Sequence, residues 1–144
     1  MHPLTLPLVV KLAGFVLAIL PLLIDNLRTC RATNGNNLIL LLGGLAMLVL
    51  DRTMGWSDRS LLASGGWIIA GIAILLVLHQ IADFPSGVAK TLMALLPWFS
   101  MDGYLLMVAA GLLATGLFGY VTRRDAPVPV VPALAVAGVF TLAL

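Results

Sequence analysis

Long apolar runs separated by short polar breaks make up most of this chain. With charged residues and Pro/Gly breaks as boundaries, six apolar segments emerge, at residues 7–24, 38–50, 61–81, 91–98, 104–121 and 132–144. A helix that crosses a bilayer needs about 20 largely apolar residues, so the third and fifth segments are long enough to span alone. The segments at 38–50 and 132–144 need flanking residues to cross. Pro97 interrupts residues 91–98, which are predicted to form a half-helix.

The apolar runs predict an all-α fold. No segment alternates apolar and polar positions as the strands of a membrane barrel do, and lipid satisfies no unpaired backbone group. Residues 1–144 are therefore expected to form a single domain, a polytopic helical membrane protein with about six transmembrane or half-transmembrane helices. The first segment has no basic stretch before it and no small-residue cleavage site after it, so we expect it to stay in the mature protein.

The composition supports the assignment as a membrane protein and excludes several kinds of function. Hydrophobic residues make up 61% and charged residues 10% of the chain, against roughly 25% charged in soluble domains. The net charge of +2 provides no basic patch dense enough for nucleic acid. Cys30 is the single cysteine, which excludes an internal disulfide and a metal site built from cysteines. No metal site is predicted.

The basic residues of the short loops predict an orientation. Loops one, three and five carry five of them, and loops two and four carry two, Arg52 and Arg59. The five are Arg28, Arg31, Lys90, Arg123 and Arg124. Because positively charged short loops remain in the cytoplasm, loops one, three and five are expected on the cytoplasmic side.

A few polar and aromatic residues fall inside or beside the apolar runs. Lys11 lies one turn from the start of the first segment, where its ammonium group is expected to reach the membrane interface. Trp56, Trp67, Trp98 and Tyr104 fall mostly at predicted helix ends and are expected to anchor the helices there, as an aromatic belt does.

Three polar stretches, in order along the chain, carry a family resemblance. Residues 26–34 read Asn-Leu-Arg-Thr-Cys-Arg-Ala-Thr-Asn, residues 85–90 read Pro-Ser-Gly-Val-Ala-Lys, and residues 129–133 read Pro-Val-Val-Pro-Ala. They resemble the Asp-Leu-Arg-Thr-Arg-Arg-Ile-Pro-Asn, Gly-x-Gly-Asp-x-Lys and Pro-x-x-Pro-Ala stretches of type IV prepilin peptidases, especially the short form that accompanies tight-adherence pili. The matched positions are Arg28, Arg31, Asn34, Gly87, Lys90, Pro129 and Pro132.

The resemblance implies a membrane aspartic peptidase of the bacterial inner membrane whose two aspartates cleave the leader of a pilin precursor. This chain has Asn26 at the first aspartate position and Val88 at the second. Neither side chain titrates, so neither can act as a general base or share a proton. We therefore expect a pseudoenzyme, a binding or accessory subunit of a membrane assembly. Its partners would be the lipid bilayer, other membrane proteins through helix packing, and prepilin or the pilus and secretion machinery.

Two alternatives remain open at this point. In the first, Asp25 and Asp83 replace the missing aspartates, and the chain is an active aspartic prepilin endopeptidase. In the second, His79 near the end of the third segment touches a pigment or haem, and the chain is an accessory subunit of an energy-converting complex. The leading hypothesis requires no cofactor.

Overall fold

The structure, a computed structural model, describes residues 5–57, 60–81, 85–122 and 128–144. These residues form six α-helices and one 3₁₀ turn, with no strand among them, so the predicted all-α fold is confirmed. The helices are α1 (Leu6–Thr29), α2 (Asn34–Thr53), α3 (Leu61–Ile81), α4 (Ser86–Leu95), α5 (Met101–Thr122) and α6 (Val131–Ala143), with the 3₁₀ turn at Leu96–Trp98. Four of them, α1, α2, α3 and α5, are long and apolar enough to cross a membrane.

Two helices extend further than the apolar pattern predicts. Helix α1 continues through Pro21 and ends where Cys30 adopts a left-handed conformation with φ of 53°. Helix α2 begins at Asn34, four residues before its apolar run. Both extensions are polar, and their side chains contact one another across the α1–α2 turn.

The predicted half-helix is present and is longer than expected. Helix α4 begins at Ser86 and is followed by the 3₁₀ turn that contains Pro97. Ten α-helical residues rise about 15 Å, and the turn adds about 6 Å, which is less than the roughly 30 Å hydrocarbon core of a bilayer. Helix α6, with 13 residues, rises only about 20 Å.

The core lies where α1, α2 and α6 meet the 3₁₀ turn. The fully buried ring of Phe15 on α1 makes edge-to-face contacts with Trp98 and Phe99, at centroid distances of 5.3 and 5.6 Å. Trp98 also donates a 2.8 Å hydrogen bond from Nε1 to the Leu40 carbonyl. Trp98 and Tyr104 are 7% and 5% exposed, so the prediction that they anchor helix ends at the membrane interface is wrong.

The bundle has two ends, which we name by their residues. At the Asn-rich end, α1 ends and α2, α4 and α6 begin, around Asn26, Asn34, Asn36 and Asn37. At the Lys11 end, α1, α3 and α5 begin and α2 and α6 end, around Lys11 and Asp51.

Candidate functional site

The Asn-rich end brings together the first two polar stretches singled out in the sequence. Lys90 of α4 donates from Nζ to Asn34 Oδ1 of α2 over 3.0 Å, and Thr91 donates from Oγ1 to Asn37 Oδ1 over 3.1 Å. A Cβ placed on Gly87 would lie 3.7 Å from the Cβ of Ala32, an ordinary contact distance. The start of α4 therefore lies directly against the α1–α2 turn.

Asn26 connects the third polar stretch to the same cluster. Its side chain is buried, and Oδ1 accepts a 3.2 Å hydrogen bond from the backbone N–H of Val131, the first residue of α6. Its Nδ2 donates to the Arg31 carbonyl over 3.3 Å. The first N–H groups of a helix have no partner within the helix, so the Asn26 amide supplies one for α6. Both polar atoms of this side chain are thereby used structurally.

Asp25 contacts an amide. Its Oδ2 accepts a 3.0 Å hydrogen bond from Asn36 Nδ2, which also donates to the Pro21 carbonyl over 3.3 Å. Asp25 is half-buried at the end of α1. Asp83, the second acid of the predicted substitute pair, lies outside the described residues, so that pair stays a prediction.

Of the remaining positions that correspond to the family motifs, some pack within the bundle and others are exposed. Val88 is half-buried, and its apolar isopropyl group packs against the core. Arg28 and Arg31 are exposed. Pro129 and Pro132 line an apolar groove between α5 and α6, which also contains Leu27, next to Arg28.

His79 lies half-buried near the end of α3. Across the described parts of the chain, no group of three or more His, Cys, Asp or Glu side chains is placed to hold a metal ion.

One donor at the Asn-rich end is buried without an acceptor. Asn37 is 6% exposed, and its Nδ2 has no hydrogen-bond partner among the described residues, although its Oδ1 is used by Thr91. An unsatisfied buried polar group costs about 1–3 kcal/mol. The unpaired Nδ2 of Asn37 therefore lowers the stability gained from the contact between α2 and α4.

The chemical capacity of the Asn-rich end follows from these contacts. A carboxamide exchanges no proton at neutral pH, and a valine neither donates nor accepts one. Asp25 is the one acidic residue that the structure describes in this cluster, whereas aspartic hydrolysis needs two carboxylates close enough to share a proton. What the cluster provides is a hydrogen-bonded junction between four helices, α1, α2, α4 and α6, flanked by two exposed guanidinium groups.

A charged pair at the Lys11 end was not predicted from the sequence. Lys11 Nζ of α1 lies 2.5 Å from Asp51 Oδ2 of α2, so the ammonium group meets a carboxylate inside the bundle. The two residues are far apart in sequence, and each lies near a helix end, where a charge alone predicts only an interfacial position. An intramembrane lysine is by itself a signal to look for an acidic partner.

Comparison of the chain with known protein families, with curated proteins and with solved structures gave no match.

Proposed function

We propose that this chain is a non-catalytic binding subunit of a membrane assembly, built on a scaffold similar to that of the type IV prepilin peptidases. The meeting of the three resembling stretches at one end of the bundle supports this proposal. The Lys90–Asn34 bond joins the first stretch to the second, and the Asn26–Val131 bond joins the first to the third. A site built from stretches that are distant in sequence requires them to meet in the fold. Three stretches that matched the family by chance would have no reason to lie together.

The non-catalytic part of the proposal rests on the two hydrogen bonds of the Asn26 side chain. An ionised aspartate at this position could accept from the Val131 N–H, but it has no N–H to donate to the Arg31 carbonyl. The asparagine thus performs a structural task that an ionised aspartate could not perform. Val88, packed against the core, supports the same conclusion.

The proposed partner is the transmembrane helix of a pilin-like protein, held in the groove between α5 and α6. The groove is almost entirely apolar and has a volume of about 740 Å³. Alanines at four-residue spacing line it on both helices, at Ala110 and Ala114 and at Ala133 and Ala137. Small side chains at this spacing let another helix approach closely. The exposed Arg28 and Arg31 near one end of the groove suit an acidic group on that partner.

A cleavage assay tests the non-catalytic part. The purified chain in lipid is incubated with a pilin precursor, beside an active prepilin peptidase as the positive control. We expect the precursor to remain intact with this chain, because the loss of one acid–base partner alone lowers hydrolysis by roughly 10²–10⁴-fold. Cleavage that disappears in Asp25→Asn would establish the peptidase alternative instead.

Photo-crosslinking tests the binding part. A photoreactive residue replaces Ala114 in the groove or, as the matched control, Ala109, an exposed residue of α5 outside the groove. With the pilin precursor coexpressed, we expect an adduct with the precursor from position 114 and none from position 109. Adducts with lipid alone at both positions would overturn the proposed occupant.

A further inference from the structure

One asparagine of the Asn-rich end has an exposed side chain and is followed by a glycine. Of the four asparagines in the chain, Asn34 alone precedes a glycine, Gly35, and its side chain is exposed. The other three, Asn26, Asn36 and Asn37, are buried or half-buried and bond to neighbouring segments. The backbone nitrogen of the next residue can attack an asparagine side-chain amide, and a glycine at that position obstructs the attack least.

The backbone around Gly35 leaves room for this attack. A Cβ placed on Gly35 would have nothing within 4 Å, so the space beside its Cα is open. Asn34 is the first residue of α2, and the N–H groups of a first helical turn have no acceptor within the helix. The Gly35 nitrogen therefore breaks no helical hydrogen bond of its own when it turns toward the Asn34 side chain.

The first turn of α2 must open for the two atoms to meet, and little holds it closed. Rotation about the Asn34 Cα–C bond brings the Gly35 nitrogen toward Asn34 Cγ. Thr33 makes no side-chain cap bond to this turn, and the backbone bond across the rotating peptide runs from the Asn37 N–H to the Thr33 carbonyl over 3.1 Å. The opening breaks this backbone bond at a helix end, where local opening requires the least free energy.

Lys90 of α4 contacts the oxygen at which charge develops during the attack. Its Nζ donates to Asn34 Oδ1 over 3.0 Å. When a nitrogen adds to Cγ, this oxygen becomes negatively charged, and an ammonium group in hydrogen-bond contact stabilises that charge. The side chain of Lys90 therefore favours the reaction at Asn34.

From these features we infer that Asn34 is a modification site, where the folded chain converts a carboxamide into a carboxylate without an enzyme. The Gly35 nitrogen loses its proton to solvent base and forms a bond to Asn34 Cγ. The Cγ–Nδ2 bond breaks, and Nδ2 takes up a proton and leaves as ammonia, so that a succinimide ring remains. Water adds to either ring carbonyl, the ring nitrogen regains a proton, and position 34 becomes an aspartate or an isoaspartate.

The aspartate product changes the charge balance of the Asn-rich end. Its carboxylate replaces the amide next to Lys90, so the bond between α2 and α4 becomes charge-assisted. A negative charge at the start of α2 also interacts favourably with the helix dipole. The inference does not rest on the proposed binding of a pilin-like helix, because the reaction involves only this chain and water.

Peptide mapping by mass spectrometry tests the site. The full chain in phosphatidylcholine nanodiscs is incubated in mildly alkaline buffer, which supplies the base, and is sampled over several days. We expect the peptide that contains Asn34 to gain the mass difference between NH₂ and OH and to become a substrate of isoaspartyl methyltransferase. Asn26, Asn36 and Asn37 are internal controls and should stay unmodified. Conversion of these three residues as fast as Asn34 would overturn the inference.

A variant and an unfolded sample separate the effect of the fold from that of the sequence. Gly35→Ala suits the open space, so it should fold, and the added Cβ should slow the conversion at least about tenfold by crowding the attacking nitrogen. The wild-type chain unfolded in denaturing detergent should convert no more than about tenfold faster than the folded chain, which is the effect of opening one hydrogen bond. A folded chain that stays unmodified while the unfolded chain converts, or an unchanged rate in Gly35→Ala, would contradict the assignment.

Discussion

Buried amide side chains join the helices of the Asn-rich end. Asn26 reaches from α1 to the first backbone N–H of α6, and Asn37 reaches from α2 to Thr91 of α4. The sequence identified Asn26 as a position of interest, because it stands where the resembling family has an aspartate. The sequence could not reveal its acceptor role, since Val131 lies 105 residues away and Asn26 alone predicts no particular partner.

Replacing Asn26 should destabilise the bundle more than replacing a solvent-exposed neighbour. Asn26→Ala removes two hydrogen bonds and leaves the Val131 N–H buried without an acceptor, so we expect a loss of about 2–4 kcal/mol in the free energy of unfolding. Asn34→Ala removes the exposed bond to Lys90 and should cost less than about 1 kcal/mol. Unfolding of both variants in mixed detergent micelles measures the difference. If Asn26→Ala were as stable as Asn34→Ala, the buried bonds would contribute no more than the exposed one.

Helix existence could be predicted from the apolar runs, but helix ends could not. The polar residues 34–37 indicate a loop by composition, yet they form the first turn of α2. Asn36 bonds to Asp25 and to the Pro21 carbonyl, and such tertiary partners make a helical turn of polar residues favourable. Trp98 shows the same limitation, because its position after Pro97 predicts a membrane anchor, and only the fold places Leu40 within reach of its indole.

Glycine on α2 sets the distance between this helix and the 3₁₀ turn. A Cβ on Gly44 would lie 2.8 Å from Cδ1 and Nε1 of Trp98 and 3.0 Å from Cβ of Pro97. The indole is held by its bond to Leu40 and cannot move aside without losing it. We expect Gly44→Ala to cost about 1–3 kcal/mol of unfolding free energy, as overpacked cores do.

The matched control for Gly44→Ala is Gly66→Ala on α3, where a Cβ would have nothing within 4 Å. Alanine in a helix is favoured over glycine by about 0.5–1 kcal/mol, so this variant should unfold at a slightly higher denaturant concentration. A Gly44→Ala protein as stable as the Gly66→Ala protein would contradict the close approach.

The two ends of the whole molecule differ in loop charge, which predicts their sides of the membrane. Arg28, Arg31 and Lys90 belong to the Asn-rich end, which is therefore expected to face the cytoplasm. Cys30 is exposed at this end and is the single cysteine of the chain. A membrane-impermeant maleimide should label Cys30 only after cells are permeabilised.

A relocated cysteine controls for this labelling experiment. Met54 is exposed at the Lys11 end, so a Cys30→Ser, Met54→Cys double variant should react in intact cells. The reverse pattern, with Cys30 labelled in intact cells and position 54 protected, would invert the orientation.

The burial of the short segment made of α4 and the 3₁₀ turn has a consequence for the surrounding lipid. Leu92, Leu95 and Leu96 are at most 2% exposed, so this segment packs against protein rather than at the outer surface of the bundle. Its rise of about 21 Å therefore does not need to match the hydrocarbon thickness of a bilayer. In membranes of different acyl-chain length, we expect the elastic strain to fall on the long outer helices instead.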